Sequence, residues 1–503
     1  MSGILDHRGN PFNTAGSRTT HNVAASRGQR SVTMRGKSAG PNSAVLPEIS
    51  KIRDRARDAV RNSPYIANMM RTLVKHEVGT GITCRFKGDD EETQKKLQEA
   101  WDRDIPNIFA EGIGHLYAGQ RMGSRGRNES GEVFLRRRRR SLNSTSGVPM
   151  QVQLLEADML DEDYNTLLSN NNYVKGGVEL NSRGDRTAYW FFITHPDDLS
   201  IETSVFGTDR RVRIPARDVI HHYVPTRPGQ LRGVPIHASA IFKNANLEAY
   251  DDYELERKKL HASFSGTIER DATTDARGML IDPITGEHFD QDYELPPINI
   301  GAGTFTQLFD GEKLNLFEAE TGGEFYADYM RQQLFAIAAS AGVPYELVTG
   351  DWKNINDRLV RAILNDFQRE VEAIQEIYLI GQLCRGTLAW WMDAGVLSGR
   401  LELDDYAERR EEYLDVDWIP QGWPYVHPQQ DVDAALKRIE GGLSTHKKEA
   451  RKLNCDSEKV LEENIKYRAR KKELLEENDL VSEEETEDQG TENQEERDTN
   501  EES

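Results

Sequence analysis

Residues 323–396 decide the fold and read GEFYADYMRQQLFAIAASAGVPYELVTGDWKNINDRLVRAILNDFQREVEAIQEIYLIGQLCRGTLAWWMDAGV. This stretch predicts a helix, a break and a second helix. In the first part apolar residues recur at steps of three to five, which indicates one apolar stripe that packs against another element. These residues are Phe325, Tyr329, Leu334, Ile337 and Ala341. Gly342 and Pro344 then end the first helix.

A polar, turn-rich loop separates the two helices. It comprises Thr349, Gly350, Asp351, Trp352, Lys353, Asn354, Ile355, Asn356 and Asp357. We expect Asp357 to cap the second helix, which begins at Arg358 and ends at Gly395. Unbroken, that helix is roughly 55 Å long at about 1.5 Å per residue, and Gly381 and Gly386 are the positions where it can bend. Its apolar positions are Leu359, Ile363, Phe367, Val371, Ile374, Tyr378 and Leu388.

The formal net charge of the 503-residue chain is −21. This charge argues against a free-standing protein that wraps DNA with a basic face, although it does not exclude a contact with DNA. In the segment Glu473–Glu502, fifteen acidic residues and one arginine contribute −14, so the rest of the chain carries about −7. We expect this tail to be a solvated, disordered segment. The length predicts about three domains.

The three cysteines, Cys84, Cys384 and Cys455, are far apart and form no C-x-x-C pair. Their spacing argues against a metal or redox motif and predicts a reducing, cytoplasmic environment. No run approaches the roughly 18 apolar residues of a membrane span, and the N-terminal region lacks an apolar signal core. We therefore expect a soluble protein with no membrane partner.

The first 47 residues are rich in Ser, Gly and Asn, carry six lysines and arginines and lack periodicity. We expect a mobile basic arm in which nothing is buried. Gly36-Lys37-Ser38 is similar to the end of a phosphate-binding loop. Because Ser31 stands where that loop requires glycine, we predict no nucleotide site.

Residues 48–236 carry the signals of an α+β domain. Two amphipathic helices over 51–78 are separated at Ser63, with Pro64 at the first helical position of the second, and 91–104 is again helical. Short apolar runs with Gly, Asn and Pro between them predict strands. These runs are 82–86, 152–155, 177–180, 188–193 and 219–224.

Two charged or polar groups lie on predicted strands. Because alternate side chains leave a strand by opposite faces, at most three of the five arginines in Arg136–Arg140 line one surface. Two interpretations stay open: a solvated edge or a face paired with acidic neighbours, and a patch that faces DNA or a partner. His221 and His222 likewise point to opposite faces, which favours ordinary packing over a shared metal.

Residues 236–263 predict a long helix that carries four neighbouring carboxylates. They are Asp251, Asp252, Glu254 and Glu256. Charge on a helix is usually a solvated face, and no histidine or cysteine is spaced to complete a metal site. The turn-rich region 266–322, with strand candidates at 304–309 and 313–317, predicts a small subdomain inserted between two helices.

Beyond Leu401, three prolines within 418–428 enforce extended structure. Helices are predicted over 431–440 and 444–454, and the acidic tail follows Lys472. The complete motifs of dinucleotide-binding sites, serine hydrolases, zinc proteases and phosphate-binding loops are absent from the sequence. We therefore predict a protein that is not an enzyme and has no cofactor and no metal site.

The segment AGVPYELVTGDW at 341–352, with the following N…R…A…DFQREVE, resembles the lambda-type bacteriophage portal proteins. The pattern of that family has a GVPYELL-GD segment, a short polar loop and a long helix. Further matching strings fall in family order over about residues 50 to 400. They are Asn62–Asn68 with Val78–Ile82, Leu155–Asp158, Arg227–Pro235 and Tyr250–Glu254.

The resemblance implies an α+β portal fold with long stem and wing helices, a small α/β clip insertion and a helical C-terminal crown. Its regions would be a basic arm at 1–47, a wing domain at 48–236, a stem helix at 237–263, a clip at 264–322, a returning stem helix at 323–343, a tunnel loop at 344–357, a long wing helix and return at 358–428, crown helices at 429–472 and an acidic tail at 473–503.

The resemblance also implies a function. Portal proteins form a ring, normally of twelve copies, at one capsid vertex of the virion, and double-stranded DNA is packaged and ejected through the channel. The partners it implies are other copies of the chain, the terminase large subunit, a head-tail connector or adaptor protein and the major capsid protein. Assembly would take place in the cytoplasm of the bacterial host.

Within such a ring, Thr349–Asp357 would reach the DNA at the narrowest point. Lys353, Arg358 and Arg361 are then expected to contact phosphates, and Trp352 either lines the lumen or packs between adjacent loops. A surface connector with a half-buried tryptophan is the other interpretation of this loop.

One departure from the commoner family loop is Asn356-Asp357-Arg358, where other members often carry small hydroxyl residues. Two further classes stay open for the whole chain. One is another phage head or tail structural or connector protein, and the other is an enzyme, for which Asp351 is a candidate acid.

Overall fold

The structure is a computed structural model that describes residues 39–88, 90–112, 114–144, 147–197, 211–263, 266–270, 273–274, 280–281, 286–288, 312–316, 326–353, 355–423, 428–453, 455 and 457–477. It has the mixed helix and sheet architecture that the α+β prediction requires. Within these ranges no helix combines the length and the apolar character that crossing a membrane requires.

The helices are numbered in chain order. They are α1 (Pro41–Val45), α2 (Ile49–Asn62), α3 (Pro64–Glu77), α4 (Glu91–Asp104), α5 (Leu116–Ser130), α6 (Ile241–Ser263), α7 (Tyr326–Ser340), α8 (Tyr345–Thr349), α9 (Asp357–Ile374), α10 (Arg385–Leu397), α11 (Tyr406–Tyr413), α12 (Pro428–Glu440), α13 (His446–Lys452) and α14 (Ser457–Glu477). A π-helical segment, Gln375–Cys384, joins α9 to α10.

The strands are short and antiparallel. They are β1 (Thr83–Arg85), β2 (Glu132–Arg139), β3 (Met150–Leu155), β4 (Thr166–Leu167), β5 (Tyr173–Lys175), β6 (Val178–Leu180), β7 (Arg186–Phe192), β8 (Arg211–Pro215), β9 (Val219–Tyr223), β10 (Gly266–Arg270), β11 (Thr273–Thr274), β12 (Leu280–Ile281), β13 (Glu312–Leu316) and β14 (Asp417–Ile419). A three-stranded sheet has the order β3-β2-β9, and a five-stranded sheet runs from β4 to β8 in sequence order. Three further pairs are β1-β14, β10-β13 and β11-β12.

Several predicted elements are confirmed. Helix α4 has the predicted bounds because Asp90 caps it, accepting from the backbone N–H groups of Glu92 and Thr93 at 3.2 Å. Pro64 occupies the first position of α3, as predicted. The strands predicted at 152–155, 177–180, 188–193 and 219–224 correspond to β3, β6, β7 and β9.

The long second helix of the opening stretch runs from Asp357 to Leu397, but it changes character in the middle. The π-helical segment lies where Gln375 donates to the carbonyl oxygens of His76 and Glu77, at 3.2 and 3.1 Å. Gln382, in the same segment, donates to the carbonyl oxygen of Tyr223 at 3.2 Å. The bend that we expected at Gly381 or Gly386 is therefore a π-helical segment whose side chains contact α3 and β9. This segment includes Gly381 but ends before Gly386.

The two larger sheets enclose an apolar core around Phe134 and Phe191, whose rings meet edge to face at 5.2 Å. A second core joins α4, β1, β3 and α10, and in it Trp101 and Trp391 are fully buried 5.1 Å apart. The third core matters most for the candidate site, because it combines α3, α6, α7, α8 and the C-terminal half of α9.

A buried ion pair ties β2 to the segment after β9. Arg232 and Glu132 are both fully buried, and Arg232 Nε donates to Glu132 Oε1 at 2.6 Å. His221 Nε2 lies 2.8 Å from the other carboxylate oxygen. Gly131 and Gly233 allow the two backbone segments to lie close together, because a Cβ at Gly233 would lie 2.0 Å from the Gly131 carbonyl oxygen.

The ends of the region inserted between α6 and α7 lie side by side. Strand β10, just after α6, pairs with β13 from Gly266–Leu316 to Arg270–Glu312. The strand predicted at 313–317 is therefore confirmed as β13. The candidate at 304–309 lies outside the described residues.

The N-terminal arm was predicted to be unstructured to residue 47, which is wrong for its last part. Residues Pro41–Val45 are helical, and Asn42 joins two backbone groups of the turn after β9. Residues 1–38, including Gly36-Lys37-Ser38, lie outside the described residues.

At the other end the tail was predicted to begin at Glu473, but α14 continues to Glu477, and the following residues lie outside the described part of the chain. Helix α6 begins at Ile241 rather than Ile236, because a 3-10 turn at Ala238–Ala240 precedes it. Helices α5 and α11 were not predicted. In α5 three glycines and several polar residues obscure the apolar periodicity on which the prediction depended.

Candidate functional site

The loop Gly350–Asn356 joins α8 to α9, and its N-terminal end is pinned to α3. The Asn68 side chain donates to the carbonyl oxygens of Leu347 and Val348, at 3.0 and 2.9 Å. Tyr345 and Val348 are buried in the same core as α3 and α7. The loop therefore starts from a fixed point.

Helix α8 lies within the segment that was predicted to be all loop from 344 to 357, so this prediction is corrected. Pro344 precedes its first residue and Gly350 ends it, with φ +74° and an N–H that donates to the Glu346 carbonyl at 2.8 Å. Proline before and glycine after a helix are a recognised boundary pair. That pair is the sequence signal that could have revealed α8.

Asp351 forms hydrogen bonds that stabilise the first half of the loop. Its backbone N–H donates to Thr349 Oγ1 at 3.2 Å, and its carboxylate accepts from the Lys353 N–H at 3.2 Å. The Tyr345 hydroxyl lies 3.4 Å from the same carboxylate. These contacts are structural, so nothing at Asp351 singles it out as a catalytic acid.

Two loop side chains extend into solvent in the isolated subunit. Trp352 is 44% exposed and Lys353 is also exposed. In the described part of the chain Lys353 forms no ion pair. Ile355 is half-buried, and Asn354 lies outside the described residues. The loop thus presents an aromatic ring and a cation on a rigid base.

The start of α9 differs from the prediction by one residue. Asn356, not Asp357, is the cap, because its Oδ1 accepts the Leu359 N–H at 2.9 Å. Asp357 instead forms an ion pair with Arg361 at 2.5 Å. Of the three predicted phosphate contacts, Lys353 and exposed Arg358 keep an unneutralised charge among the described residues, whereas the charge of Arg361 is met within its own helix.

The N-terminal half of α9 carries an uncovered apolar face. Phe367 and Val371, further along, are buried in the third core. Leu359 is 47% exposed, and Phe335 on α7 is 55% exposed. An apolar stripe that is buried at one end of a helix and exposed at the other indicates a surface that another protein can cover.

The Arg136–Arg140 run is mostly explained by packing. Strand β2 pairs with β3 along this run but with β9 only as far as Arg136, so Arg137–Arg139 lie at an open strand edge and Arg138–Arg140 are exposed. Arg137 pairs with Asp218 and stacks over Trp390, and Arg139 lies 3.7 Å from the same carboxylate. This face is therefore neutralised by an acidic neighbour, as one of the two interpretations required.

The carboxylate clusters are engaged by cations rather than arranged as empty metal ligands. Glu156, Asp158 and His195 lie close enough to share an ion, but Arg53 and Arg57 form ion pairs with the two acids. Burial alone would raise the pKa of Asp158, yet the two arginines hold it below its ordinary value.

On α6, Glu254 pairs with Arg257 at 2.7 Å, and Asp251 accepts the Tyr326 hydroxyl. The tandem histidines separate as predicted. His221 contacts Glu132, and His222 Nδ1 lies 3.0 Å from Gln382 Oε1.

Comparison with known proteins identifies the family. Residues 27–375 match the family model described as phage portal protein, lambda family. A chain named "Probable portal protein" of Halomonas phage phiHAP-1 is 27% identical over 439 residues, covering 84% of this chain and 81% of the relative. Portal protein B of Escherichia phage lambda is 23% identical over 459 residues, covering 84% of each chain.

Among solved structures, a chain from the neck of a native gene transfer agent particle is 15% identical, with a TM-score of 0.46. A chain from the virion of the native gene transfer agent is also 15% identical, with a TM-score of 0.47. Each alignment covers 81% of this chain and 93% of the other.

Proposed function

The chain belongs to the lambda family of phage portal proteins, and from this premise we propose that it assembles into a ring, normally of twelve copies, at one vertex of a phage capsid. Double-stranded DNA would be packaged and ejected through the central channel. The terminase large subunit would supply the motor, a head-tail connector or adaptor would bind the outer end, and the major capsid protein would surround the ring.

The observation that carries this proposal is the anchored loop between α8 and α9, with the exposed apolar residue Leu359 at the start of α9. A loop tip that must meet passing DNA needs a rigid base, which Asn68 and the buried residues of α8 provide. The exposed apolar side chain of Leu359 supports a neighbouring subunit as its partner. The loop would then point into the channel.

The helices suit the remaining parts of a portal. We assign α6 and α7 to the stem, the region between them to the clip, the sheets with α2 to α5 to the wing, and α12 to α14 to the crown. The pairing of β10 with β13 supports a clip that projects as one unit from the paired stem helices.

Electrostatics favours a channel through which DNA slides. The chain outside the acidic tail carries about −7, which gives little tendency to hold the phosphate backbone, whereas a basic channel would bind it strongly in a salt-dependent manner. Lys353 and Arg358 would be isolated contacts at the narrowest point. We place assembly in the cytoplasm of the bacterial host and the finished ring in the virion.

Mass measurement of the purified protein in solution, combined with negative-stain electron microscopy, tests the proposal. We expect hollow rings with a mass roughly twelve times the 57.1 kDa of one subunit. A monomer at micromolar concentration, or a six-fold ring of the kind found in tails, would contradict it and favour another structural role.

A further inference from the structure

A cleft of about 730 Å³ lies beside α1, between the hairpin ends of β5 to β7 and the turn after β9. Its floor includes the buried side chains of Leu180, Tyr223 and Leu231. This volume is in the range of pockets that hold small molecules or a few residues of peptide.

Three cations line the cleft: Lys175 on β5, Arg186 on β7 and Arg227 in the turn after β9. No carboxylate belongs to the lining, and within the described residues none of the three cations forms an ion pair. Arg186 is half-buried among neutral groups, which include the Tyr223 hydroxyl and the Gln230 carbonyl. Unneutralised cations above an apolar floor favour an anionic ligand with an extended shape.

The acidic residue adjacent in sequence to the cleft lining, Asp185, does not neutralise the cations of the cleft. Asp185 follows Gly184 of the lining, but its carboxylate accepts from the Asn181 side chain at 2.9 Å. Arg183 lies 3.6 Å from the same carboxylate. The cleft therefore keeps its positive charge.

The N-terminal arm joins the described part of the chain at the rim of this cleft. Arg227 donates to the Ala39 carbonyl at 3.0 Å, and Asn42 contacts the Gly229 carbonyl and the Leu231 N–H, both at 2.9 Å. The chain is thus fixed to the rim at residue 39, and residues 1–38 contain six lysines and arginines and one aspartate. Like charge makes this arm a poor occupant of the cleft.

We propose that the cleft binds the acidic C-terminal segment 478–503 of a copy of this chain. The segment contains twelve carboxylates and one arginine, so its charge is opposite to that of the cleft and the arm. Because it is covalently attached, its effective concentration exceeds that of free acidic peptides. A concave cleft of this size admits an extended peptide, whereas duplex DNA is too wide to enter it. The proposal does not depend on ring formation.

Site-specific photo-crosslinking of the full-length protein tests this proposal. Benzoylphenylalanine replaces Gln489 in the middle of the acidic segment, and crosslinked peptides are identified by mass spectrometry. We expect crosslinks to 173–186 and 223–231, and their yield should fall with salt because exposed charge pairs are screened. Mixing isotope-labelled with unlabelled protein shows whether the segment belongs to the same or a neighbouring copy, and either result supports the proposal.

Charge reversal makes the test specific. Lys175→Glu with Arg227→Glu should reduce the crosslink yield by about tenfold, since attraction is replaced by repulsion at half-buried Lys175 and exposed Arg227. Glu483→Lys with Glu484→Lys should restore most of it in the same protein. The matched control, Lys51→Glu with Lys95→Glu, changes the net charge equally at two exposed positions outside the cleft and should leave the yield unchanged.

Crosslinks that map elsewhere, or a yield that responds equally to both charge reversals, would overturn the proposal. Protection of Lys175 from chemical acetylation by added duplex DNA, without crosslinks from the segment, would instead assign the cleft to nucleic acid. A variant that loses the crosslink but regains it on charge exchange cannot owe the loss to misfolding.

Discussion

The amide of Asn68, on α3, donates to the carbonyl oxygen of Val348, on α8, at 2.9 Å and to the preceding carbonyl at 3.0 Å. These bonds span 279 and 280 residues of sequence and fix the base of the candidate tunnel loop. Whatever the loop contacts, its position depends on α3.

Replacing Asn68 with Ala should therefore loosen the loop. The Val348 carbonyl oxygen loses the Asn68 donor, and the Leu347 carbonyl oxygen keeps only a long contact with Thr72 Oγ1 at 3.5 Å. We therefore expect the free energy of unfolding to fall by about 1–3 kcal/mol. Amide hydrogen exchange over 350–356 should become faster. Asn62→Ala is the control, because among the described residues the Asn62 side chain makes only an exposed contact with Asp58 in its own helix. Unchanged exchange in the Asn68 variant would show that the bonds do not hold the loop.

The buried pair of Glu132 and Arg232 gives a second prediction. Glu132→Gln keeps the shape but leaves Arg232 buried without its anion, so unfolding should become easier by about 3–5 kcal/mol. Glu129→Gln, which breaks an exposed pair with Arg125, should cost less than about 1 kcal/mol. Urea denaturation measures both. Equal effects would contradict the role given to the buried pair.

Stability should decrease in mild acid because of two buried histidines. Burial lowers the pKa of His221 to about 4 and that of His222 to about 3. Unfolded histidines titrate near about 6.5, so below that pH the unfolded state binds more protons and stability falls as pH falls towards 4. Above about pH 7 both states hold neutral imidazole, and this contribution to the pH dependence vanishes.

Glu132 behaves differently from the two histidines over the same pH range. Its pKa is lowered to about 2 because Arg232 and His221 outweigh the effect of burial, so its carboxylate stays ionised in the fold through mild acid. Urea denaturation at pH values of about 7.5 and 5.5 should show the loss, and His222→Gln should reduce the slope. Equal stability at the two pH values would refute the assignment of neutral, buried histidines.

The apolar face of α9 predicts an assembly defect without a folding defect. Leu359 is 47% exposed, so Leu359→Glu should change the unfolding free energy of the subunit by no more than about 0.5 kcal/mol. The ring should dissociate at higher protein concentration than the unaltered ring, as sedimentation measures. Leu397→Glu, at a residue 87% exposed beyond the end of this face, is the control. Identical sedimentation of both variants would mean that no subunit covers Leu359.

Trp352→Ala with Lys353→Ala tests the loop tip. Both side chains are exposed, so rings should assemble normally. Loss of a stacking ring and a phosphate contact should lower DNA packaging or retention about tenfold, measured by protected DNA per particle or by plaque complementation. Lys95→Ala, at another exposed lysine, should have no effect. Unimpaired packaging would show that Thr349–Asp357 is not the tunnel loop.

Local patterns were sufficient to predict the helices of the opening stretch, since apolar spacing and the Gly342-Pro344 stop are both sequence features. They were also sufficient for α4 and for β3, β6, β7 and β9, but not for the short strands β4, β5 and β8. Local sequence patterns could not predict the long-range contacts. The sequence around Asn68 does not predict that its side chain binds α8. The sequence around Gln375 and Gln382 does not predict a π-helical segment. The cleft was missed because Lys175, Arg186 and Arg227 come together only in the fold.

The cap of α9 was misplaced for a different reason. Asn356 and Asp357 are both good capping residues, and only the hydrogen bond to the Leu359 N–H distinguishes them. This difference bears on function. Asp357 forms an ion pair with Arg361, which weakens the case for a phosphate contact by Arg361.

The central claim is that the loop between α8 and α9 lines the narrowest part of a portal channel. A cryo-electron microscopy map of the assembled ring, in which the α9 helices are resolved, measures the distance of Trp352 from the symmetry axis. We predict that Trp352 and Lys353 lie among the residues nearest the axis, with Leu359 covered by a neighbouring subunit. A ring in which this loop lies on the outer surface would contradict the account.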